Sequence, residues 1–166
     1  MGSRPHSLCI DGSRRVKLAG VDPADTGGMK KDEALVEIEE LGAELAELGN
    51  LLTYAGRHAL LVVLQGRDAS GKDGAIRKIL AFSNVQNANV HPFKVPTEEE
   101  RAHDFLWRVH KAVPERGHLG LFNRSHYEDV IAARVHKLAE KAVWTRRYDH
   151  INAFERLLVE DRKSVV

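Results

Sequence analysis

A glycine and lysine pattern typical of phosphate-binding loops occurs in the stretch QGRDASGKDG, residues 65–74. Gly66, Gly71 and Lys72 fit the pattern G-x-x-x-x-G-K. In such a loop, backbone N–H groups and the N-terminus of the following helix bind phosphate oxygens, and the lysine reaches the phosphate that is transferred. The stretch therefore predicts phosphoryl-transfer chemistry. Its expected phosphate-binding residues are Gly66, Ala69, Ser70, Gly71, Lys72 and Asp73.

Two carboxylates in this loop need an explanation. Asp68 lies inside the loop, and Asp73 takes the place where the usual pattern has Ser or Thr. A carboxylate about 4 Å from a phosphate charge costs roughly 4 kcal/mol at an intermediate effective dielectric. A divalent cation reverses this repulsion, because Mg²⁺ prefers carboxylate and phosphate oxygens as ligands. We expect Asp68 to bind the metal, whereas Asp73 is either a second ligand or a first-turn acid favoured by the helix dipole.

A second group of polar residues, FNRSHYED at 122–129, follows another apolar segment. Phosphoryl-transfer enzymes often place a metal-binding acid at such a position, opposite the phosphate loop. Arg124 is suited to clamp a phosphate with two hydrogen bonds, and Asn123 to reach the metal through water. Ser125 and Glu128 also fit a helix capping box, and the two interpretations are compatible.

Three short apolar segments are predicted to position these groups as strands, because each is bounded by polar loops and followed by helical periodicity. The predicted strands cover residues 59–64, 89–93 and 118–122. The order strand, helix, strand, helix, strand, helix is typical of a doubly wound parallel α/β sheet, whose ligands gather at the carboxyl ends of the strands. Both polar loops fall at those ends.

Capping boxes and periodic apolar residues define the predicted helices. One helix starts after Lys72, a second starts at the box Thr97 to Glu100 and runs to Pro114, and a third starts at the box Ser125 to Glu128. A last helix presents Tyr148, Ile151, Phe154 and Leu157. An earlier amphipathic helix, residues 30–54, is expected to pack on the sheet or on a second subunit through Leu35, Ile38, Leu41, Leu45, Leu48 and Leu52.

The ends of the chain carry further expectations. Residues 1–28 are rich in Gly, Ser, Pro and charge, which predicts a poorly ordered arm before a domain over residues 29–166. Residues 163–166, KSVV, begin a pattern typical of a fourth strand. The sequence ends two apolar residues into that pattern, so we expect a C-terminally truncated chain.

Composition bounds the class of protein. The 166 residues are 43% hydrophobic and 30% charged, as in one soluble globular domain, and the net charge of +1 favours neither nucleic acid nor a membrane surface as a partner. The single cysteine, Cys9, and the absence of a signal-peptide pattern predict a cytoplasmic location. The 9 histidines lack metal-ligand spacing.

With both loops described, the chain resembles the polyphosphate kinase 2 family, and within it the class III branch. The resemblance is carried by GRDASGKDG at 66–74, HPFKVPTEEE at 91–100, HDFLWRVHKAVPERG at 103–117, LFNRSHYEDV at 121–130 and INAFERLL at 151–158. It implies a P-loop kinase fold that transfers a phosphoryl group between inorganic polyphosphate and AMP or ADP with Mg²⁺. The expected partners are polyphosphate, adenine nucleotides and further copies of the chain.

The resemblance also implies roles for single residues. Asp68, Lys72 and Arg124 are the implied catalytic residues. Asn123 and Glu128 are the implied nucleotide-binding residues, and Glu128 is implied to orient the acceptor nucleotide. Asn123 stands where other branches of the family have an aspartate, which favours class III and leaves the metal to Asp68 and Asp129. Exposed bases that either contact polyphosphate or are simply solvated are Arg67, Arg77 and Lys94.

Family members run on past the point where this chain ends, with a further strand and a basic helical lid over the phosphates. Two alternatives to the polyphosphate kinase therefore stay open. One is an ATP-dependent kinase of a nucleotide or small molecule, against which the stretch NRSHYED and Asp73 argue. The other is a catalytically impaired fragment that binds polyphosphate or a partner chain.

Overall fold

The computed structural model describes residues 15–22 and 24–166. Its contacts divide the chain into two units, one reaching to Leu41 and the other comprising Gly42–Val166. The sheet and both polar loops lie in the second unit. Residues 1–14 and 23 of the predicted arm lie outside the described residues, and the rest of the arm includes a short 3-10 helix at Leu18–Gly20. The arm and the domain boundary at residue 29 stay predictions.

Four parallel strands form the sheet, in the order β2-β3-β1-β4. Their bounds are Ala59–Leu64 (β1), Ala88–Pro92 (β2), Leu119–Asn123 (β3) and Lys163–Val165 (β4). All four predicted strands are thus confirmed within one residue or so at each end. The continuous apolar run of β1 is explained by its place between β3 and β4, where both faces of the strand are covered.

Six helices accompany the strands among the described residues. Their bounds are Lys31–Ala55 (α1), Lys72–Ala81 (α2), Glu98–Ala102 (α3), Trp107–Ala112 (α4), Glu128–Val135 (α5) and Lys141–Glu160 (α6). The α/β class, with a parallel sheet flanked by helices, is the predicted one. No helix in the described ranges is long and apolar enough to cross a membrane.

The alternation of side chains along the strands divides the core between two faces of the sheet. On one face, Leu61 and Phe122 pack with Val109 of α4 and with Phe154 and Leu158 of α6. On the other face, the strand residues pack around Ile76 of α2; they are Leu60, Val62, Leu64, Leu119 and Leu121. Both faces are therefore covered by helices, as a doubly wound sheet requires.

Two helix predictions were wrong in detail. The box Thr97 to Glu100 forms with both of its hydrogen bonds, but the helix it opens ends at Ala102. The Asp104 side chain accepts a hydrogen bond from the Leu106 N–H at 2.9 Å, a local turn that competes with helix continuation. A new helix, α4, begins at Trp107.

The predicted capping box at Ser125 does not form. Helix α5 begins at Glu128, its N-cap residue Tyr127 makes no side-chain cap, and the side chains of Ser125 and Glu128 are instead bonded to Gln65. On α6, Ile151, Phe154 and Leu158 are buried, whereas the predicted Tyr148 and Leu157 are about half exposed. The buried face follows the steps i, i+3 and i+7.

Helix α1 shows less burial than its leucine stripe predicts. Leu35, Leu41 and Leu48 are each about half exposed. Leu45 and Leu52 line a small cavity together with residues of the loop after α2, of β2 and of β3. The C-terminal part of the stripe thus lies beside the sheet, and contact of the stripe with a second subunit stays a prediction.

Gly42 provides a test of this packing. A Cβ atom at Gly42 would lie 2.4 Å from the ring of Phe82, whereas one at Gly49 of the same helix would meet nothing within 4 Å. We expect Gly42→Ala to lower the free energy of unfolding by about 1–3 kcal/mol through overpacking. Gly49→Ala should raise it by about 0.5–1 kcal/mol, because alanine restricts the unfolded chain. Urea denaturation measures both, and equal effects would contradict the contact with Phe82.

Candidate active site

The phosphate loop lies between the end of β1 at Leu64 and the start of α2 at Lys72, as the sequence predicts. Gly71 is the N-cap of α2 with a left-handed φ of 88°, a conformation that glycine adopts without strain. At Gly66, a Cβ would lie 2.5 Å from the Ser70 hydroxyl oxygen, so a larger residue would require the Ser70 side chain to move. The two glycines of the pattern therefore both have a structural reason.

Lys72, Asp68 and Arg124 lie together at the mouth of this loop. The Lys72 ammonium is 3.8 Å from a carboxylate oxygen of Asp68, and an Arg124 guanidinium nitrogen is 2.5 Å from the same oxygen. The Asp68 side chain is 87% exposed, and that of Lys72 only 12%. Two cations thus converge on one accessible carboxylate, and the three predicted catalytic residues form a single group.

The second loop follows β3 and lies beside the first because β1 and β3 are adjacent parallel strands. The Arg124 N–H donates to the Leu64 carbonyl at 3.0 Å. The Asn123 side-chain amide donates to an Asp73 carboxylate oxygen at 2.8 Å. Asp73 is therefore a first-turn acid of α2 that is also bonded to the second loop; its role as a metal ligand stays a prediction.

Gln65 joins the two loops through its side chain, which sequence reasoning missed. Its amide nitrogen donates to a Glu128 carboxylate oxygen at 2.5 Å, and its amide oxygen accepts from the Ser125 hydroxyl at 3.1 Å. Nothing in the local pattern marks Gln65, because its partners lie about sixty residues away in the sequence. Glu128, the predicted nucleotide-orienting residue, is held at the edge of the phosphate loop by this bond.

Asp129 has a different environment from Asp68. One of its carboxylate oxygens is 3.3 Å from a guanidinium nitrogen of Arg108, and the other is 3.9 Å from Arg147. Burial raises the pKa of Asp129, while the charges of Arg108 and Arg147 oppose that rise. The structure thus places Asp129 in an ion-pair network, and its predicted metal binding stays untested.

A buried cluster behind the second loop is a further feature that sequence reasoning missed. His126 is fully buried, and its Nε2 lies 3.3 Å from a Glu155 carboxylate oxygen that also accepts from the Tyr127 hydroxyl at 2.5 Å. The hydrogen bond from His126 lowers the pKa of Glu155, while burial raises the pKa of Tyr127. The cluster ties the second loop to α6.

Two open cavities meet at Arg124. One, of about 640 Å³, lies between the phosphate loop and α5, and its lining includes Arg67, Asp68 and Glu128. The other, of about 370 Å³, lies on the β2 side; it is lined by Lys72, Asp73, Pro92, Phe93, Lys94, Val95, Asn123 and Arg124. The predicted phosphate contacts Arg67 and Lys94 thus lie in different cavities. Arg77 is exposed on α2 and lines neither of these two.

The side chains available as ligands limit how this site could bind a metal ion. Among the described residues, no group of three or more His, Cys, Asp or Glu side chains is placed to hold a metal ion. Mg²⁺ is commonly held by one or two carboxylates, with phosphate oxygens and waters as the remaining ligands. The exposed carboxylate of Asp68 fits that mode of binding, in which the protein supplies only one or two of the ligands.

Comparison with known proteins decides the family. The family model described as polyphosphate kinase 2 (PPK2) matches residues 28–166, which is most of the chain. The chain belongs to the polyphosphate kinase 2 family. The resemblance predicted from the two loops is therefore confirmed, and the parallel sheet is that of a P-loop kinase.

Relatives in this family match most of the chain. An AMP/ADP-polyphosphate phosphotransferase from Meiothermus ruber is 46% identical over 154 residues, which are 92% of this chain and 58% of that protein. An ADP-polyphosphate phosphotransferase from Rhodopseudomonas palustris is 44% identical over 74% of this chain and 46% of that protein. The chain thus spans about half the length of these curated relatives.

A solved structure agrees with the sequence comparison. The crystal structure of polyphosphate kinase 2 from Arthrobacter aurescens TC1 superposes with a TM-score of 0.87 at 40% identity, covering 90% of this chain and 55% of that one. At this identity the likeness extends beyond topology to the sequence of the strands and loops. Assignment to class III within the family stays a prediction.

Proposed function

We propose that this chain contributes the phosphate-binding half of a polyphosphate:nucleotide phosphotransferase, which transfers a phosphoryl group between inorganic polyphosphate and AMP or ADP. The observation that carries the proposal is the convergence of Lys72 and Arg124 on Asp68 at the carboxyl ends of β1 and β3. Relatives named for this activity match 92% and 74% of this chain. Their names supply the donor and acceptor classes.

Positioning and charge neutralisation are what this reaction requires of the protein. An acceptor phosphate oxygen is already anionic, so no side-chain nucleophile is needed, and the transferred phosphoryl group spreads its charge over its equatorial oxygens. Lys72, at the N-terminus of α2, and Arg124, between the two cavities, would neutralise that charge. Phosphates entering from the two cavities would meet at these two side chains.

Mg²⁺ is the metal that we propose for this site, with Asp68 as its ligand and Asp73, Asn123 and Asp129 as further candidates. When bound, it would neutralise part of the phosphate charge. Asp68 is paired with Arg124 and Lys72. Asp68 would hold the metal, and Arg124 and Lys72 would bind phosphate oxygens.

Glu128 would orient the acceptor nucleotide, and Arg67 and Lys94 would contact the phosphate chain from the two cavities. We further propose a cytoplasmic homo-oligomer. The single cysteine supports the location, and the half-exposed leucines of α1 support contact with another copy. The near-zero net charge gives no support for nucleic acid as a partner.

A transfer assay tests the proposal. Purified chain with Mg²⁺ and polyphosphate should form ATP from ADP and ADP from AMP, and product formation should stop when EDTA removes the metal. The reaction with AMP as the acceptor, ATP as the donor and no polyphosphate serves as the control, because transfer from ATP to AMP forms ADP from both. Transfer from ATP alone would instead favour a nucleoside triphosphate-dependent kinase. Binding of polyphosphate without any transfer would overturn the proposed activity for this chain.

A further inference from the structure

Gln65 uses both ends of its amide to hold the second loop. Its nitrogen donates to Glu128 and its oxygen accepts from Ser125. The chemistry of the partners fixes this orientation of the amide, because an ionised carboxylate only accepts hydrogen bonds. The Ser125 hydroxyl is fully buried and in turn accepts from the Tyr127 N–H at 3.1 Å. One side chain from the end of β1 therefore sets the backbone course from residue 125 to residue 128.

Arg124, just before this segment, has an unfavourable backbone conformation. Its φ is 61°, in the left-handed region that side chains with a Cβ seldom adopt. Such a conformation persists only where surrounding contacts determine it, and it is often found at functional sites. Here those contacts come from two consecutive residues of β1 and its loop: the Leu64 carbonyl bonds the Arg124 N–H, and the Gln65 side chain bonds Ser125 and Glu128.

We infer that Gln65 is a positioning residue, which holds Arg124 in its left-handed conformation and thereby keeps the guanidinium at the phosphate loop. The inference deepens the proposed function and rests on it, in that Arg124 is taken to bind phosphate. Gln65 need not touch substrate for this role. It acts through the second loop, and its loss releases the arginine rather than removing a charge.

The side chain of Gln65 can be tested separately from its backbone. The bond between Leu64 and Arg124 involves main-chain atoms only, so a substitution at Gln65 leaves it available. Gln65→Ala removes both side-chain bonds. Gln65→Glu keeps the shape but places a second carboxylate opposite Glu128, and a further Glu128→Gln change restores an amide donor for that carboxylate.

A double-mutant cycle on polyphosphate affinity provides the test, with isothermal titration of a defined polyphosphate into the chain in Mg²⁺. Arg124→Ala should weaken binding about tenfold in the wild-type background and less than about threefold with Gln65→Ala, because the arginine is then already displaced. If Gln65→Ala only destabilised the fold, Arg124→Ala would weaken polyphosphate binding by the same factor in both backgrounds. Equal factors in the two backgrounds would overturn the inference.

Gln86 offers a matched control, because it is the only other glutamine of the chain and is exposed. Gln86→Ala should leave the full effect of Arg124→Ala. In the Gln65→Glu background, Arg124→Ala should weaken binding by a smaller factor, as it does with Gln65→Ala. Combining Gln65→Glu with Glu128→Gln should restore the full factor. The inference is wrong if Arg124→Ala weakens polyphosphate binding no more in the paired variant than in Gln65→Glu alone.

A measurement on the free protein separates failure of this inference from failure of the proposed function. The guanidinium NMR signals of Arg124, paired with Asp68, should move to the position of a freely solvated arginine in Gln65→Ala and stay in place in Gln86→Ala. If the wild-type chain binds no polyphosphate, the proposed function fails and this shift still decides the inference. Unchanged Arg124 signals in Gln65→Ala would overturn it.

Discussion

Lys72→Ala is expected to lower the rate of phosphoryl transfer from polyphosphate by about 10³-fold, with most of the loss in kcat. The Lys72 side chain is largely buried, and its ammonium emerges at the N-terminus of α2 beside Asp68. Truncation removes a fixed positive charge from the place where the charge of the transferred phosphoryl group develops. Water that fills the gap must reorient as the reaction proceeds, and this reorientation has a free-energy cost that a fixed ammonium group avoids.

Lys78 is the matched control for this substitution, because it lies in the last turn of the same helix and is exposed. Lys78→Ala changes the net charge equally and should leave kcat within about twofold, since a solvated charge is screened. Steady-state kinetics with ADP as the acceptor measures both variants. Comparable losses in the two would show that net charge, rather than the placement of Lys72, controls the rate.

The fold could be predicted because its determinants are local in sequence. The apolar run of β1 gives the strand Ala59–Leu64 without correction, and the box at Thr97 forms as expected. Parallel order follows from the alternation of strands and helices. Where the prediction failed, a side chain found a partner that the periodicity does not encode. At Asp104 the partner is a backbone N–H two residues away, and at Ser125 it is the side chain of Gln65.

The same distinction applies to the candidate site. Asp68, Lys72 and Arg124 could be chosen as candidates because each residue type is suited to phosphate or metal and each follows a strand; the structure brings them together, and their roles stay predictions. Gln65 and Glu155 could not, because their importance depends on side-chain contacts across the fold rather than on residue type. Asp129 shows the reverse. Its type suggested a metal ligand, and only the structure reveals the two arginines around it.

Arg108 is the residue whose importance the sequence conceals most, because it lies in the first turn of α4 as one of many basic residues of the chain. It is buried, with a side chain only 7% exposed. Its guanidinium donates to the Lys94 carbonyl at 2.9 Å and lies 3.6 Å from a Glu100 oxygen and 3.3 Å from Asp129. It thus links the loop after β2, the helix α3 and the start of α5.

Arg108→Met is expected to lower the free energy of unfolding by about 3 kcal/mol at neutral pH. Methionine keeps an apolar stem beside Phe93, so most of the packing remains while the charge is lost. The cost arises because Asp129 is left partly buried with Arg147 as its remaining cation, and the Lys94 carbonyl loses its donor. Urea denaturation measures the loss, and Arg116→Met, which removes an exposed pair with Asp161, should change stability little.

The pH dependence of this loss identifies its cause. Burial already raises the folded-state pKa of Asp129, and Arg108 is the strongest of the charges that oppose the rise. Without Arg108 that pKa rises further, so the variant binds a proton at a higher pH than the wild type does. By linkage, the deficit is fully present above the raised pKa and shrinks as the pH falls through it, because a protonated Asp129 needs no cation. A stability deficit that stays constant from neutral to acid pH would mean that lost packing accounts for the effect, rather than the partly buried charge of Asp129 left without Arg108.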